Sequence, residues 1–229
     1  MSSPVLLAVA HGSSHPAAAA AIGALAGQVR RLAPVIDVRT AFLSHGEQSL
    51  TDELACAGPD AVVVPLLLST GYHLTTDIAS VAGTADPLGP DSLLAIALAR
   101  RLAEAGVPAG TAVVLAAAGS SDPAAEAEVR SQAAMLADEL GAEVVVAFAA
   151  AGLPTVPDAV AELRARTGGP VAVATYLLAP GLFHDRLADA GADWVSAPLS
   201  DHPAVAALVI DRYRVRRTAV TTGPSRRGR

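Results

Sequence analysis

The stretch VLLAVAHGSSHPA, residues 5–17, joins a short apolar run to a turn of small residues and a proline. The run Val5–Ala10 predicts a buried parallel β-strand. Pro16 suits the first position of a helix, so the turn Gly12-Ser13-Ser14 is expected to open one. Free backbone N–H groups at such a turn favour an anion, such as a carboxylate. A strand that leads directly into a helix indicates a βα unit of an α/β fold.

The same stretch returns in the second half of the chain. AHGSSHP at 10–16 matches AAGSSDP at 117–123, LLSTGY at 67–72 matches LLAPGL at 177–182, and PLG at 87–89 matches PLS at 198–200. Three anchors in the same order indicate a duplicated domain. We therefore expect a first domain at residues 1–107, a second at 108–217 and a disordered polar tail at 218–229.

Apolar runs alternate with segments at helical spacing, which is typical of right-handed βαβ units in a doubly wound α/β fold. The predicted strands are Val5–Ala10, Ile36–Phe42, Ala61–Leu68, Ala112–Ala117, Glu143–Phe148 and Pro170–Leu177. The predicted helices are Pro16–Leu32, Ser49–Ala57, Asp91–Ala105, Pro123–Leu140, Val156–Thr167 and Pro203–Arg217.

Composition excludes several classes of protein. The chain has 229 residues, 52% of them hydrophobic and 17% charged, which excludes intrinsic disorder. All 16 basic residues are arginine and the one cysteine is Cys56. Lysine Schiff bases, P-loops, internal disulfides and Cys-rich metal sites are therefore excluded. A net charge of −6 with few aromatic residues argues against a nucleic-acid partner. The apolar runs are too short to span a membrane and no signal peptide is evident, so we expect a cytoplasmic protein.

Histidines cluster after the predicted strands, where ligands bind in open α/β sheets. His11 follows the first strand and His73 the third, so both should lie at one edge of the sheet. Neutral imidazoles suit divalent transition metals and accept protons near neutral pH. The alternative is that each is a loop histidine bonded to a backbone carbonyl. The second copy carries Ala118 and Phe183 at these positions, which suggests one active half and one supporting half.

These motifs, together with PLLLSTGYHLTTDI at 65–78 and YLLAPGLFHDRL at 176–187, resemble those of sirohydrochlorin chelatases, the CbiX/SirB family of class II chelatases. The resemblance covers residues 4–217. It implies two flavodoxin-like domains, each with a small, mostly parallel sheet flanked by helices, around a tetrapyrrole cleft. It also implies insertion of Fe²⁺ or Co²⁺ into sirohydrochlorin, on the way to sirohaem or cobalamin, without an organic cofactor.

The resemblance also implies roles for particular residues. His11 and His73 match the catalytic, metal-contacting histidines of the family. From the residues themselves, we also expect Gly12, Ser13, Ser14, Gly71 and Tyr72 to bind the substrate. Tyr72 could stack on the macrocycle, and the alternative is that it packs between the domains. The metal is a substrate, and imidazole ligation permits Fe²⁺, Co²⁺ or Ni²⁺. The expected partner is the tetrapyrrole, and the chain is expected to be a monomer or a homodimer.

One position departs from the family pattern. Family members often carry a glutamate after the Phe-Leu that ends the second strand, where this chain has Ser44. Glu47 matches a second family glutamate, so either Glu47 or His45 could take over the metal-handling role. The alternative is that Glu47 caps the following helix near its N-terminus, where a negative charge is stabilising.

Two other functions remain open from the sequence. A non-catalytic carrier of metal or tetrapyrrole is suggested by Ser44 and by the degenerate second half. Phosphoryl transfer through His11 is less favoured, because histidine phosphatases carry an arginine before that histidine and this chain has Ala10. Among the remaining features, we expect His15 at the surface, His202 in a helix cap, and the arginines from Arg212 to Arg217 at the end of the last helix.

Overall fold

The structure is a computed structural model that describes residues 3–44, 48–70, 78, 81 and 83–222. Strands and helices alternate along the chain, as an α/β fold requires. The strands are β1 (Leu6–Ala10), β2 (Val38–Phe42), β3 (Val62–Pro65), β4 (Ala112–Gly119), β5 (Val144–Ala151), β6 (Val171–Tyr176) and β7 (Trp194–Val195). The helices are α1 (Pro16–Leu32), α2 (Leu50–Ala57), α3 (Ser92–Glu104), α4 (Pro123–Leu140), α5 (Val156–Thr167), α6 (Leu182–Leu187) and α7 (Pro203–Thr222).

The strands form two parallel sheets, one in each half of the chain. The first sheet has the order β2-β1-β3 and the second the order β5-β4-β6-β7. The first sheet also has an equivalent of β7. Val63 of β3 pairs with Thr84 in an isolated bridge, and the matching residue Val173 of β6 pairs with Val195 of β7. The predicted class, two tandem α/β domains with parallel sheets flanked by helices, is therefore confirmed.

Some elements differ in extent from the prediction. Strand β3 ends at Pro65 rather than Leu68, although the Leu66 N–H still donates to the Val9 carbonyl oxygen of β1 (2.7 Å). Helix α7 continues to Thr222, so residues 218–222 are helical where the sequence predicted a disordered tail. The first helix-breaking residues after Arg217 are Gly223 and Pro224, which explains the extension. The short elements α6 and β7 were not predicted.

The two halves exchange their last helices. Helix α3 belongs to the first half of the sequence, yet it packs against α4 and β6 of the second. Helix α7 returns from the second half to pack against α1 and β3 of the first. Each sheet is therefore covered in part by a helix from the other half, which makes the halves depend on each other for burial.

The exchange creates a shared interior. One buried cluster contains Leu6 and Leu25 of the first half together with Leu115 and Leu136 of the second. None of the helices in the described part of the chain has both the length and the apolar character needed to cross a lipid bilayer.

Polar contacts reinforce this interior. The guanidinium group of Arg212 in α7 donates to the carbonyl oxygens of Pro87 (2.8 Å) and Leu88 (3.1 Å) and to the carboxylate of Asp91 (2.9 Å). The expectation that Arg212 belongs to the end of the last helix is wrong, because α7 runs on to Thr222. Arg212 instead joins the two halves.

Candidate functional site

A cavity of about 420 Å³ opens where the carboxyl end of the first sheet faces the loop after β6. Both halves contribute to its wall. The lining residues are 10–14, Ala18, Ala19, Ile22, Phe42 and Leu66 from the first half and residues 177–184 from the second. Open α/β sheets bind ligands beyond the carboxyl ends of their strands, and this cavity lies at such an edge.

The turn after β1 places His11 at the mouth of this cavity. His11 is exposed and is the first residue beyond the strand. Gly12 has a φ of 91°, a conformation that favours glycine. The Ser13 Oγ accepts a hydrogen bond from the His15 N–H (3.1 Å), which leads the chain into α1. The expected serine turn and helix start are therefore present beside His11.

The second half contains the same turn without the histidine. Gly119 has a φ of 96°, and the Ser120 Oγ accepts from the Asp122 N–H at 3.1 Å. Ala118 stands where the first half has His11. The turn therefore forms without an imidazole, so its geometry does not require His11.

Ser44 lies directly beside the His11 turn. Its N–H and its Oγ–H both donate to the carbonyl oxygen of His11, at 3.0 and 2.7 Å. Ser44 is exposed. The position where family members often carry a glutamate is thus adjacent to His11 in space, although the two residues are far apart in sequence.

Part of the predicted site lies beyond what the structure describes. His11, Gly12, Ser13 and Ser14 line the cavity. The remaining predicted positions, which lie outside the described residues, are His45, Glu47, Gly71, Tyr72 and His73. The described part of the loop after β3 ends at Thr70.

The second half supplies an apolar wall. Leu182 and Phe183 are 58% and 39% exposed, and His184 beside them is partly buried. Large apolar side chains that are exposed next to each other in a cavity are typical of a ligand-binding surface. The described lining residues include no arginine and no carboxylate side chain. The repeat carried the signal for this wall, since LLAPGLF aligns with LLSTGYH.

Two other histidines lie outside the cavity wall. His15 is partly exposed, and its Nε2 lies 3.9 Å from the Asp185 carboxylate at the rim between the halves. His202 is buried, and its Nδ1 accepts a hydrogen bond from the Ala204 N–H (3.2 Å) at the start of α7. Burial lowers the pKa of His202, and the positive charge of Arg101 lowers it further. The predicted capping role of His202 is confirmed.

Comparison with solved structures places this architecture among the chelatases. A structure of SirB from Bacillus subtilis with Fe³⁺ is 25% identical, covers 96% of this chain and 97% of its own, and superimposes with a TM-score of 0.81. A cobalt complex of the sirohydrochlorin chelatase SirB from Bacillus subtilis subspecies spizizenii is 22% identical and has a TM-score of 0.74. The match covers 96% of this chain and 97% of that one. The structure of CbiX, described as the terminal enzyme of sirohaem biosynthesis in denitrifying bacteria, is 24% identical and has a TM-score of 0.68. The match covers 92% of this chain and 98% of that one.

Two parallel sheets, exchanged helices and a cleft between the halves define a two-domain protein with the chelatase fold. Comparison with curated protein sequences gave no match. The sequence profile of the CbiX family matches residues 5–105 and 112–216, which is nearly the whole chain. The chain belongs to the CbiX family.

Proposed function

We propose that the protein inserts Fe²⁺, Co²⁺ or Ni²⁺ into sirohydrochlorin, as a lyase-class chelatase in the synthesis of sirohaem or cobalamin. The observation that carries the proposal is the cavity, where the exposed His11 faces an apolar wall from the other half. Its volume falls in the range of pockets that hold organic ligands, roughly 300–1,000 Å³. Membership of the CbiX family and the likeness to the SirB structure with Fe³⁺ support this reaction.

Metal insertion exchanges two pyrrole N–H protons for one divalent cation. The site therefore needs bases for the protons and a weak, temporary hold on the ion. We assign both tasks to His11 and His73, since a neutral imidazole can bind the metal ion and, once the ion has moved on, accept a proton. Neither task requires an organic cofactor or a change of oxidation state.

The macrocycle would lie between the two halves. Backbone N–H groups at the start of α1, with Gly12, Ser13 and Ser14, suit the carboxylates of the substrate. Leu182 and Phe183 offer an apolar surface for one face of the ring.

Further roles are assigned on the first-half side. Gly71 and Tyr72 complete the substrate-binding set there. The Ser44 hydroxyl donates to the His11 carbonyl oxygen. We assign the additional metal contact to Glu47 or His45.

The two halves then have different tasks. Residues 1–107 carry the proposed bases, and residues 108–217 form the opposite wall and support the site. The proposal includes a cytoplasmic location, a monomer or homodimer, and no nucleic-acid or membrane partner.

Phosphoryl transfer through His11 is disfavoured. A phosphate pocket requires cationic groups, and the described wall of the cavity contains no arginine. A non-catalytic carrier of metal or tetrapyrrole is the alternative that the experiment must separate from the enzyme.

The test is an anaerobic incubation of the protein with sirohydrochlorin and Fe²⁺, Co²⁺ or Ni²⁺, followed by absorption spectroscopy. Product that exceeds the protein concentration, at a rate above that of protein-free controls, supports the chelatase. A spectral change that stops at one equivalent would indicate a carrier, and no change with any of the metals would overturn the proposal.

A further inference from the structure

The second half of the chain holds the loop after β3 through two polar side chains. The Glu128 carboxylate in α4 accepts hydrogen bonds from the backbone N–H of Thr70 (2.5 Å) and from its hydroxyl (2.6 Å). The Tyr176 hydroxyl in β6 donates to the carbonyl oxygen of Leu68 (2.6 Å). Burial raises the pKa of Tyr176, as does the nearby Glu128 charge, so its hydroxyl stays a donor. A loop of one half is thus anchored by the other.

The Glu128 contact is the stronger kind of anchor. A carboxylate that accepts two hydrogen bonds from one residue fixes both its backbone and its side chain. Thr70 and Glu128 are both partly buried, so water competes less for these bonds than it would at an exposed surface. The position of Gly89 adds a steric constraint, because a Cβ there would overlap both the Leu68 carbonyl oxygen and the Tyr176 hydroxyl.

The repeat provides an internal comparison for this anchor. A shift of 107 positions carries the buried residues of α1 onto those of α4, with Ile22 on Val129 for example. The same shift places Ala21 at the position of Glu128. In the loop after β6, the counterpart of Thr70 is Pro180, which has neither an N–H nor a hydroxyl. The reciprocal anchor therefore cannot form.

Tyr176 shows the same asymmetry, because its counterpart in the repeat is Leu66. The two anchors thus act in one direction, from the second half onto the loop after β3. That loop leads to His73, the third residue after Thr70. The loop without such anchors carries Phe183 at the matching position.

We propose that Glu128 is a positioning residue for His73, an inference that rests on the proposed chelatase function. The carboxylate fixes the backbone and the side chain of Thr70, which stands three residues before His73 in the sequence. A base and temporary metal ligand must be held in the correct position before the macrocycle arrives, because small misplacements of a reacting group lower rates steeply. The second half would thus support catalysis through this contact as well as through the cavity wall.

The first experiment measures sirohydrochlorin metallation by Glu128→Gln. Glutamine keeps one acceptor and loses the charge, so we expect kcat to fall about tenfold or more. The KM for sirohydrochlorin should stay near the wild-type value, because Glu128 does not line the cavity. Thr70→Val, which loses the hydroxyl, should also be slower, whereas Thr70→Ser should remain close to wild type. The matched control is Glu126→Gln, in the same helix but paired with Arg130 at the surface, which should leave kcat unchanged.

The second experiment separates positioning from general stability by a double-mutant cycle with His73→Ala. If Glu128 acts through His73, Glu128→Gln should cost nothing further in the His73→Ala background, under single-turnover conditions with enzyme in excess. Titration with Co²⁺ alone gives a second readout, in which Glu128→Gln should weaken binding only when His73 is present.

The outcomes distinguish the positioning role of Glu128 from the catalytic role assigned to His73. An equal cost of Glu128→Gln in both backgrounds, or wild-type kcat for Glu128→Gln beside a slow His73→Ala, would overturn the positioning role alone. Wild-type turnover by His73→Ala would overturn the assignment of His73 in the proposed function, and the positioning role with it.

Discussion

His11 can be tested without disturbing the turn that carries it. The second half builds the same serine turn with Ala118 in place of His11, and both turns use a glycine of positive φ. We therefore expect His11→Ala to fold normally while insertion slows about a hundredfold or more, the range of a lost general base. Metallation rates and thermal melting measure the two effects. His15→Ala, on the same turn but outside the cavity wall, is the control and should change the rate little. Near-normal turnover by His11→Ala with every metal would contradict the two-histidine mechanism.

Ser44 gives a direct test of the missing family glutamate. Its hydroxyl bonds to the His11 carbonyl, so a carboxylate at this position would lie near the His11 turn. Carboxylate oxygen is a harder ligand than imidazole nitrogen, so we expect Ser44→Glu to raise the Fe²⁺ rate relative to the Ni²⁺ rate several-fold. Ser44→Ala separates the loss of the hydroxyl from the gain of the carboxylate. If Ser44→Glu and Ser44→Ala give the same rates with all three metals, the position has no role in metal choice.

The starts of α3 and α7 are capped in corresponding ways, and the second cap depends on pH. The Asp91 Oδ1 accepts from the Leu93 N–H (2.9 Å), as the His202 Nδ1 accepts from the Ala204 N–H (3.2 Å). Only a neutral imidazole can accept this bond, and burial lowers the pKa of His202. The unfolded chain thus binds a proton more readily at this residue than the folded chain.

We therefore predict that the free energy of unfolding decreases as the pH falls below about 6.5, the ordinary histidine pKa. The contribution from His202 is complete above that pH and is lost progressively as the pH falls toward the lowered pKa of the folded state. His202→Asn keeps a capping side chain without this titration, so its stability should fall less across the same range. Denaturant unfolding of both proteins at several pH values measures the difference. Equal slopes for the two proteins would exclude the cap as their source.

The sequence predicted the longer helices best, because their ends carry strong local signals. Helices α1 and α4 begin at the prolines that were predicted to start them, and α4 and α5 end before Gly141 and Gly168 in left-handed conformations. The short elements α6 and β7 have no such length or periodicity. Strand β7 exists because Trp194 and Val195 pair with β6, a tertiary contact that a local pattern does not contain.

The partners of the helices could not be predicted from the same patterns. An apolar face shows that a helix is covered, but it does not show which sheet covers it. The sequence therefore gave no sign that α3 and α7 are exchanged, or that Arg212 bonds to Asp91. The serine turn and His11 were predictable, because a strand, a glycine and a proline lie together in sequence. Glu128 was not, because its partner Thr70 is distant in the chain.

At the scale of the whole molecule, substitution of His184 tests whether the catalytic groups lie in the first half alone or in both halves. His184 lines the cavity from the second half, one position beyond Phe183, the counterpart of His73. The matching turn of that half offers Ala118, so His184 lacks a counterpart of His11 with which to share a metal ion. We therefore expect His184→Ala to reduce turnover less than about tenfold, roughly 1.4 kcal/mol of barrier, through weaker substrate contacts. The measurement compares the metallation rate of His184→Ala with that of His11→Ala. A loss as large as that of His11→Ala would show that both halves carry catalytic groups, and the division into an active and a supporting half would be wrong.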